Sequence, residues 1–269
     1  MPRRGIMGKR FIILAMLISI LVEANQCNID VLHSTLNKYE YFLEQGTYEG
    51  QDWSSFPVKP KSRSDTFRLV FEHFVKNDGK TIVELGSTRS FTHGGLEGCN
   101  KDNPQYWTPN APENWDWGAG LFTRMAAECL YHVHPEVHTV DIEFAHLKRC
   151  QLITAPYSSI IQYHHASSLN FLRICQFADG IDLIYLDTGN MTPIEETARL
   201  QLEEVEIIVE RGLLSKHGLL LIDDVKNQTP KLFGDRSGLG KSKYSLPYLL
   251  EHGFEIVADE YQVVLRRVS

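Results

Sequence analysis

The chain has 269 residues, a formal charge of −7 and 43% apolar residues. That length suits one large α/β domain with additions, or at most two domains, and the apolar share is ordinary for a globular protein with a full core. The acidic balance, with no basic stripe beyond the N-terminus, argues against a nucleic-acid partner and favours a small molecule.

Arg3, Arg4, Lys9 and Arg10 precede an apolar run from Phe11 to Val22, and Glu23, Ala24 and Asn25 follow it. A basic stretch, a short apolar stretch and a small-residue exit predict a signal peptide or N-terminal anchor over residues 1–27. The apolar run, roughly a dozen residues, is short for a membrane span. A buried or amphipathic N-terminal helix is the blander alternative. Membrane contact is expected only through this segment, if it is retained. Cysteine usage points the other way. Cys27, Cys99, Cys129, Cys150 and Cys175 are odd in number, scattered and without zinc spacing, as expected for free thiols in a reducing compartment. Export and a cytoplasmic location therefore both stay open, as does a homo-oligomeric state.

Residues 28–63 read as a helical extension, in which Val31, Leu32, Leu36, Tyr39, Phe42 and Leu43 recur at helical spacing. Gly46 to Pro60 reads as a loop. The main domain is expected over 64–269. It opens with a helix carrying Phe67, Leu69, Val70, Phe71 and Phe74, and Asn77-Asp78-Gly79 is a turn into the first strand.

Five apolar runs then end on acidic or small polar residues: Thr81–Gly86, Thr139–Glu143, Ile160–His164, Leu183–Asp187 and Leu219–Asp224. Helices are expected between them, over Gly118–Tyr131, Phe144–Leu152, Leu169–Phe177 and Pro193–Gly212, with another at Tyr244–His252. Continuous apolar strands alternating with helices predict a parallel sheet covered on both faces. Two further runs, Glu255–Ala258 and Gln262–Arg267, are too close together for a crossover helix and must run antiparallel or form one bent strand. The expected fold is α/β and Rossmann-like. It has a mostly parallel seven-stranded sheet, helices on both faces and a closing antiparallel hairpin. A polar, aromatic insertion with Trp107, Trp115 and Trp117 occupies 88–117.

Ligands in such sheets bind at the carboxyl ends of the strands. Glu84 and Gly86 end the first strand, and a glycine there lets the backbone pass close to a ligand. Gly118 and Gly120 open the next helix, whose N-terminus offers free amides. Asp141 ends the second strand, about twenty residues on, where an acid meets a ribose diol in nucleotide-binding folds. A helix cap is the alternative, for which Glu143 is the better candidate. Ala166 and Ser167 follow the third strand, where an adenine edge could rest, and Ser168 is the expected N-cap of the helix behind it. His164 and His165 point to opposite faces of a strand, which disfavours a joint metal site. Asp187, Asp223 and Asp224 end the fourth and fifth strands. Three carboxylates at one rim need a cation, and hard oxygens suit Mg²⁺. The competing reading has them capping helices, binding the ligand amine, or pairing with Lys226 or Lys231.

In this order, Glu84-Leu85-Gly86, Asp141, Ala166-Ser167, Asp187, Asp223-Asp224 and the closing antiparallel pair resemble the class I S-adenosylmethionine-dependent methyltransferases. The resemblance covers roughly Ser64 to Ser269. Tyr185–Asn190, Gly218–Asp224 and Gly240–Tyr248 look most like small-molecule O-methyltransferases of the catechol and macrolide-sugar type. On that resemblance Gly86 lies under the methionine part of the cofactor, Asp141 holds the ribose, and Ala166 and Ser167 flank the adenine. Glu84, Gly118, Gly120 and Asp187 complete the cofactor set, and Asp187, Asp223 and Asp224 match the metal carboxylates. The glycine-rich loop departs from the family in being interrupted by Thr88–Trp117. The third metal ligand also departs, being Asp224 where the catechol enzymes have asparagine. Lys241 and His165 lead the candidates for taking the proton of a small hydroxylated acceptor, with Lys243 and His93 as alternatives. A nucleotide-sugar or dinucleotide enzyme is the rival, opposed by the missing G-x-G-x-x-G. An exported non-enzymatic protein that kept the fold is the third reading.

Overall fold

The computed structural model describes residues 25–41, 43–44, 59–87, 121–189, 193–225 and 239–268. Residues 1–24 of the expected signal segment, the insertion with its tryptophans, Gly118, Gly120, His93, Cys99, Lys226 and Lys231 lie outside the described residues. Among those described, no helix is long and apolar enough to cross a membrane.

Helix α1 occupies 25–36. It is followed by α2 (Arg63–Lys76), β1 (Thr81–Leu85), α3 (Leu121–Leu130), β2 (Glu136–Asp141), α4 (Phe144–Ile153) and β3 (Ile161–His165). Then come α5 (Ser168–Ile174), β4 (Ile181–Leu186), α6 (Ile194–Arg211), β5 (Leu214–Ile222), α7 (Ser245–Glu251), β6 (Phe254–Asp259) and β7 (Val263–Arg267). The sheet order is β3-β2-β1-β4-β5-β7-β6. β1 pairs in parallel with β2 and β4, β3 with β2, and β5 with β4. β7 runs antiparallel to both β5 and β6. This is the expected α/β, Rossmann-like sheet, with one detail that the sequence left open. The last strand is inserted between the fifth and the sixth.

Strand alternation sorts the side chains into two cores. Ile82, Val137, Leu183, Tyr185, Leu219, Leu221 and Val264 face one layer, with Phe67 and Phe71 of α2 and Phe122 and Met125 of α3. Val83, Leu85, Val140, Ile184, Leu186, Leu220 and Leu265 face the other, with Phe171, Val205, Ile208 and Leu249. Helix ends obey local chemistry. α6 carries Glu195 and Glu196 in its first turn and Arg211 in its last, and it stops at Gly212 in the left-handed region (φ 59°). β5 begins five residues earlier than its apolar run. Residues Leu214–His217 are only half-buried or exposed, so they carry no strand-like apolar pattern, yet Leu214 pairs with Ile181.

The helical extension is not separate from the domain. Ile29, Leu32, Leu36, Tyr39 and Leu43 lie in the same core as Phe67, Phe71 and Met125. The Tyr39 hydroxyl donates to Glu128 Oε2 at 2.5 Å, and His33 Nε2 lies 2.7 Å from Glu72 Oε1. Leu36 is fully buried. Leu36→Ala should therefore lower the stability of the whole chain by about 2–5 kcal/mol, in a single unfolding transition. Two separate transitions in denaturant, with only the first shifted, would show the extension to be an independent unit.

Candidate functional site

A cavity of about 360 Å³ opens at the carboxyl ends of β1, β2 and β4, within the size range of small-molecule sites. Gly86, Ser87, Asp141, Glu143, His146, Ser167, Asp187 and Thr188 are among its lining residues. Gly86 is required by two facts. Its φ is +91°, and a Cβ there would stand 2.6 Å from the carbonyl oxygen of Asp187. The turn is locked by hydrogen bonds from Gly86 N to Val140 O (2.9 Å) and from Asp187 N to Leu85 O (3.0 Å). The β1 turn, β2 and β4 thus hold fixed positions around one opening.

Asp141 organises the β2 wall. Its Oδ2 accepts from Ser87 N at 2.9 Å, its Oδ1 accepts from Glu143 N at 2.7 Å, and His146 Nδ1 is 3.1 Å from both oxygens. Burial opposes its charge, but His146 and the backbone donors hold the carboxyl below its usual range. Glu143 occupies the N-cap position of α4 without the expected side-chain cap bond, and its own amide donates back to Asp141 Oδ1. Ser167, rather than the expected Ser168, is the N-cap of α5, accepting from Asn170 N. Ala166 is not among the lining residues, while its neighbours Ser167 and Ser168 are.

Glu84 does not reach the cavity wall. It shares the β1 face of Ile82, so its carboxyl group turns beneath the turn into the α3 layer, with no exposed surface. Its Oε2 accepts from the hydroxyls of Thr123 and Thr139, and its Oε1 has no partner among the described residues. Burial pushes this carboxyl up to about 8. The two threonines oppose the rise, and the charges of Asp187 and Asp141 add to it. Glu84, for which a cofactor contact is expected, thus lies under the turn and is not among the residues lining the cavity.

Asp187, Asp223 and Asp224 do converge, each offering an oxygen within 4.8 Å of the others. Both oxygens of Asp223 and Asp224 and one oxygen of Asp187, however, are already engaged. Arg63 places Nε 3.0 Å from Asp223 Oδ1 and Nη2 3.0 Å from its Oδ2, and the same Nη2 lies 2.9 Å from Asp224 Oδ1. Tyr185 and Gln262 donate to Asp223, and Tyr261 donates to Asp224. Lys241 Nζ stands 2.7 Å from Asp187 Oδ1 and 2.9 Å from Asp224 Oδ2. A carboxylate has about four lone-pair sites, and those of Asp223 are filled by these donors. The arrangement does not fit Mg²⁺, which requires close, near-octahedral oxygens. Burial raises Asp187 to about 6; Lys241 opposes this rise and Asp223 and Asp224 reinforce it.

Neither expected base is among the residues lining the cavity. Lys241 is only 1% exposed. Burial works against its charge, but the three aspartates outweigh it and hold the ammonium above the ordinary lysine value, so it is no proton acceptor. His165 ends β3, three strand spacings or about 14 Å from β4, and its Nε2 meets Ile142 O at 3.0 Å. His164 instead turns to His138 (2.9 Å), so the adjacent histidines do part company. Ser87, His146, Thr188 and Arg63 escape sequence reasoning. Thr188 directly follows a strand-end acid, which is a usable signal, whereas nothing around Arg63 announces a partner 160 residues away.

No protein-family model and no curated protein matches the chain. The structure is similar to the S-adenosylhomocysteine-bound methyltransferase PaMTH1 of Podospora anserina, with 15% identity and a TM-score of 0.51 over 100% of this chain and 98% of that one. Weaker likenesses are to a methyltransferase from Geobacter sulfurreducens (13% identity, TM-score 0.42, 89% of each chain) and to Aeropyrum pernix fibrillarin in complex with natively bound S-adenosyl-L-methionine (12%, 0.37, 70% and 66%). The chain has the Rossmann-like fold of class I methyltransferases.

Glu84 yields a pH test. Its folded value is raised from 4.5 to about 8, so between those limits folding takes up a proton. The associated stability is complete below the unfolded value and is lost as pH rises toward 8, by at most about 1.4 kcal/mol per pH unit. Glu84→Gln, which stays neutral, should therefore gain thermal stability over the wild type progressively from about pH 5 to pH 8. A difference independent of pH would show Glu84 to be ionised in the folded chain.

Proposed function

We propose that the chain is an S-adenosylmethionine-dependent methyltransferase acting on a small hydroxylated or sugar-like acceptor. The observation that carries this reading is the convergence of Gly86, Asp141, Ser167 and Asp187 on one cavity at the carboxyl edge of a methyltransferase-type sheet. S-adenosylhomocysteine, the ligand bound to the Podospora protein, is the product such a reaction leaves.

The cofactor would bring an already electrophilic methyl group, leaving alignment and proton management to the protein. Gly86 leaves room for a ligand to lie against bare backbone. Asp141, ionised and fixed by Ser87 N and His146, presents a carboxylate to a diol. Asp187 is the acid on the wall whose raised value suits accepting an acceptor proton near neutral pH, one oxygen being held by Lys241. The charge of −7 agrees with a small acceptor rather than a nucleic acid.

Calorimetric titration with S-adenosylhomocysteine tests the proposal. Saturable one-to-one binding is expected, and Asp141→Asn should weaken it tenfold or more, about 1.4 kcal/mol, while the circular-dichroism spectrum stays unchanged. Absence of saturable binding at millimolar ligand, or equal binding of a nicotinamide dinucleotide, would overturn it.

A further inference from the structure

The carboxylate rim holds its cations within the polypeptide. Three acids, Asp187, Asp223 and Asp224, are met by two protein cations, Arg63 and Lys241. Arg63 sits at the first position of α2, lies 4.4 Å from the centre of the Tyr261 ring, and grips Asp223 with two nitrogens. Lys241 comes from a short turn over Gly240–Ser242. That turn is seated by main chain. Gly240 has φ +54°, and a Cβ there would fall 2.0 Å from the carbonyl oxygen of Asp224. Only glycine allows the approach, and the approach puts the next residue's ammonium between Asp187 and Asp224.

We propose that Lys241 Nζ is a resident substitute for the divalent ion that the Asp187–Asp223–Asp224 pattern predicts, so that this centre works without a metal. The two roles are mutually exclusive in space. An ion at the place of the ammonium would need Asp187 Oδ1 and Asp224 Oδ2, which Lys241 holds at 2.7 and 2.9 Å, and Asp223 has no lone pair to spare. The ammonium supplies one positive charge where an ion would supply two. It is covalently tethered, so it neither dissociates nor needs a supply. Being almost wholly buried, it does not touch an acceptor. Lys241 is a positioning residue: it fixes Asp187, which lines the cavity. This deepens the proposed function and rests on it. It excludes acceptors that must chelate a metal, such as vicinal diols bound through one, and leaves singly presented hydroxyls.

The test uses Mn²⁺ as the probe, read by loss of its free-ion electron paramagnetic resonance signal on the full chain. The wild type should leave the signal unchanged at millimolar Mn²⁺. Lys241→Met, which keeps the apolar stem and removes the charge, should acquire one Mn²⁺ site with affinity at least tenfold above the wild type, and adding Asp224→Asn to it should abolish that site. Thermal unfolding of Lys241→Met should be shifted upward by Mn²⁺, and that of the wild type should not. One equivalent of Mn²⁺ bound by the wild type, lost in Asp224→Asn, overturns the inference, and this arm needs no folded Lys241 variant. Lys241→Met that is folded by circular dichroism but binds no Mn²⁺ overturns it equally. S-adenosylhomocysteine titrated into the same wild-type sample separates the two questions. If the wild type binds both S-adenosylhomocysteine and Mn²⁺, only the resident-cation idea falls. If it binds neither, the methyltransferase reading falls, and with it the restriction on acceptors, while the lysine's occupation of the acidic rim stands.

Discussion

Negative charge crowded at the carboxyl edge of a parallel sheet must be compensated where water cannot do it, and the remainder of the molecule is arranged to meet that demand. β4 and β5 deliver Asp187, Asp223 and Asp224 to one place because their register is fixed by backbone pairing. Like charges so close are tolerated only with cations between them. One comes from the beginning of α2, the other from a turn far along the chain. Tyrosine hydroxyls and a glutamine amide from β4 and the β6–β7 connection add further donors to Asp223 and Asp224. The cluster therefore fastens the helical layer, the parallel strands and the antiparallel pair to one another at the same edge that forms the cavity.

The same edge handles isolated acids in two other ways. Asp141 stays ionised because backbone amides and His146 surround it. Glu84, two residues before the turn, is enclosed with only hydroxyl donors and keeps its proton. Three neighbouring solutions, an ion-pair network, an amide nest and a neutral acid, are set by which donors each strand position can reach. The chemistry assigned to each acid follows from that difference rather than from the residue type.

The fold is legible in the sequence because β4 and the second half of β5 write continuous apolar runs, the other parallel strands shorter ones, and the crossover helices periodic ones. Strand types and directions follow, including the antiparallel closing pair. The order of β7 and β6 does not, since both read alike and only packing decides which lies next to β5. The start of β5 is hidden because Leu214–His217 pairs at its backbone without burying its side chains. In the site, Gly86, Asp141 and Asp187 can be found from their places at strand ends. Lys241 stands out for its chemistry but suggests the wrong one, since a sequence shows that a lysine is near a motif and not that three carboxylates enclose it. Arg63 leaves no trace, because its partners are set by tertiary contact alone.

The interleaving of β7 between β5 and β6 has a consequence for biosynthesis. The strand that completes hydrogen bonding along β5 is the last of the seven to leave the ribosome. Until Val263–Arg267 emerges, β5 presents an unpaired apolar border, and the partners that Tyr261 and Gln262 provide to the acidic rim are missing. Nascent chains shorter than this thus carry an open β5 edge and an acidic rim short of neutral donors, which makes emergence of this last strand the step at which β5 ceases to be an edge.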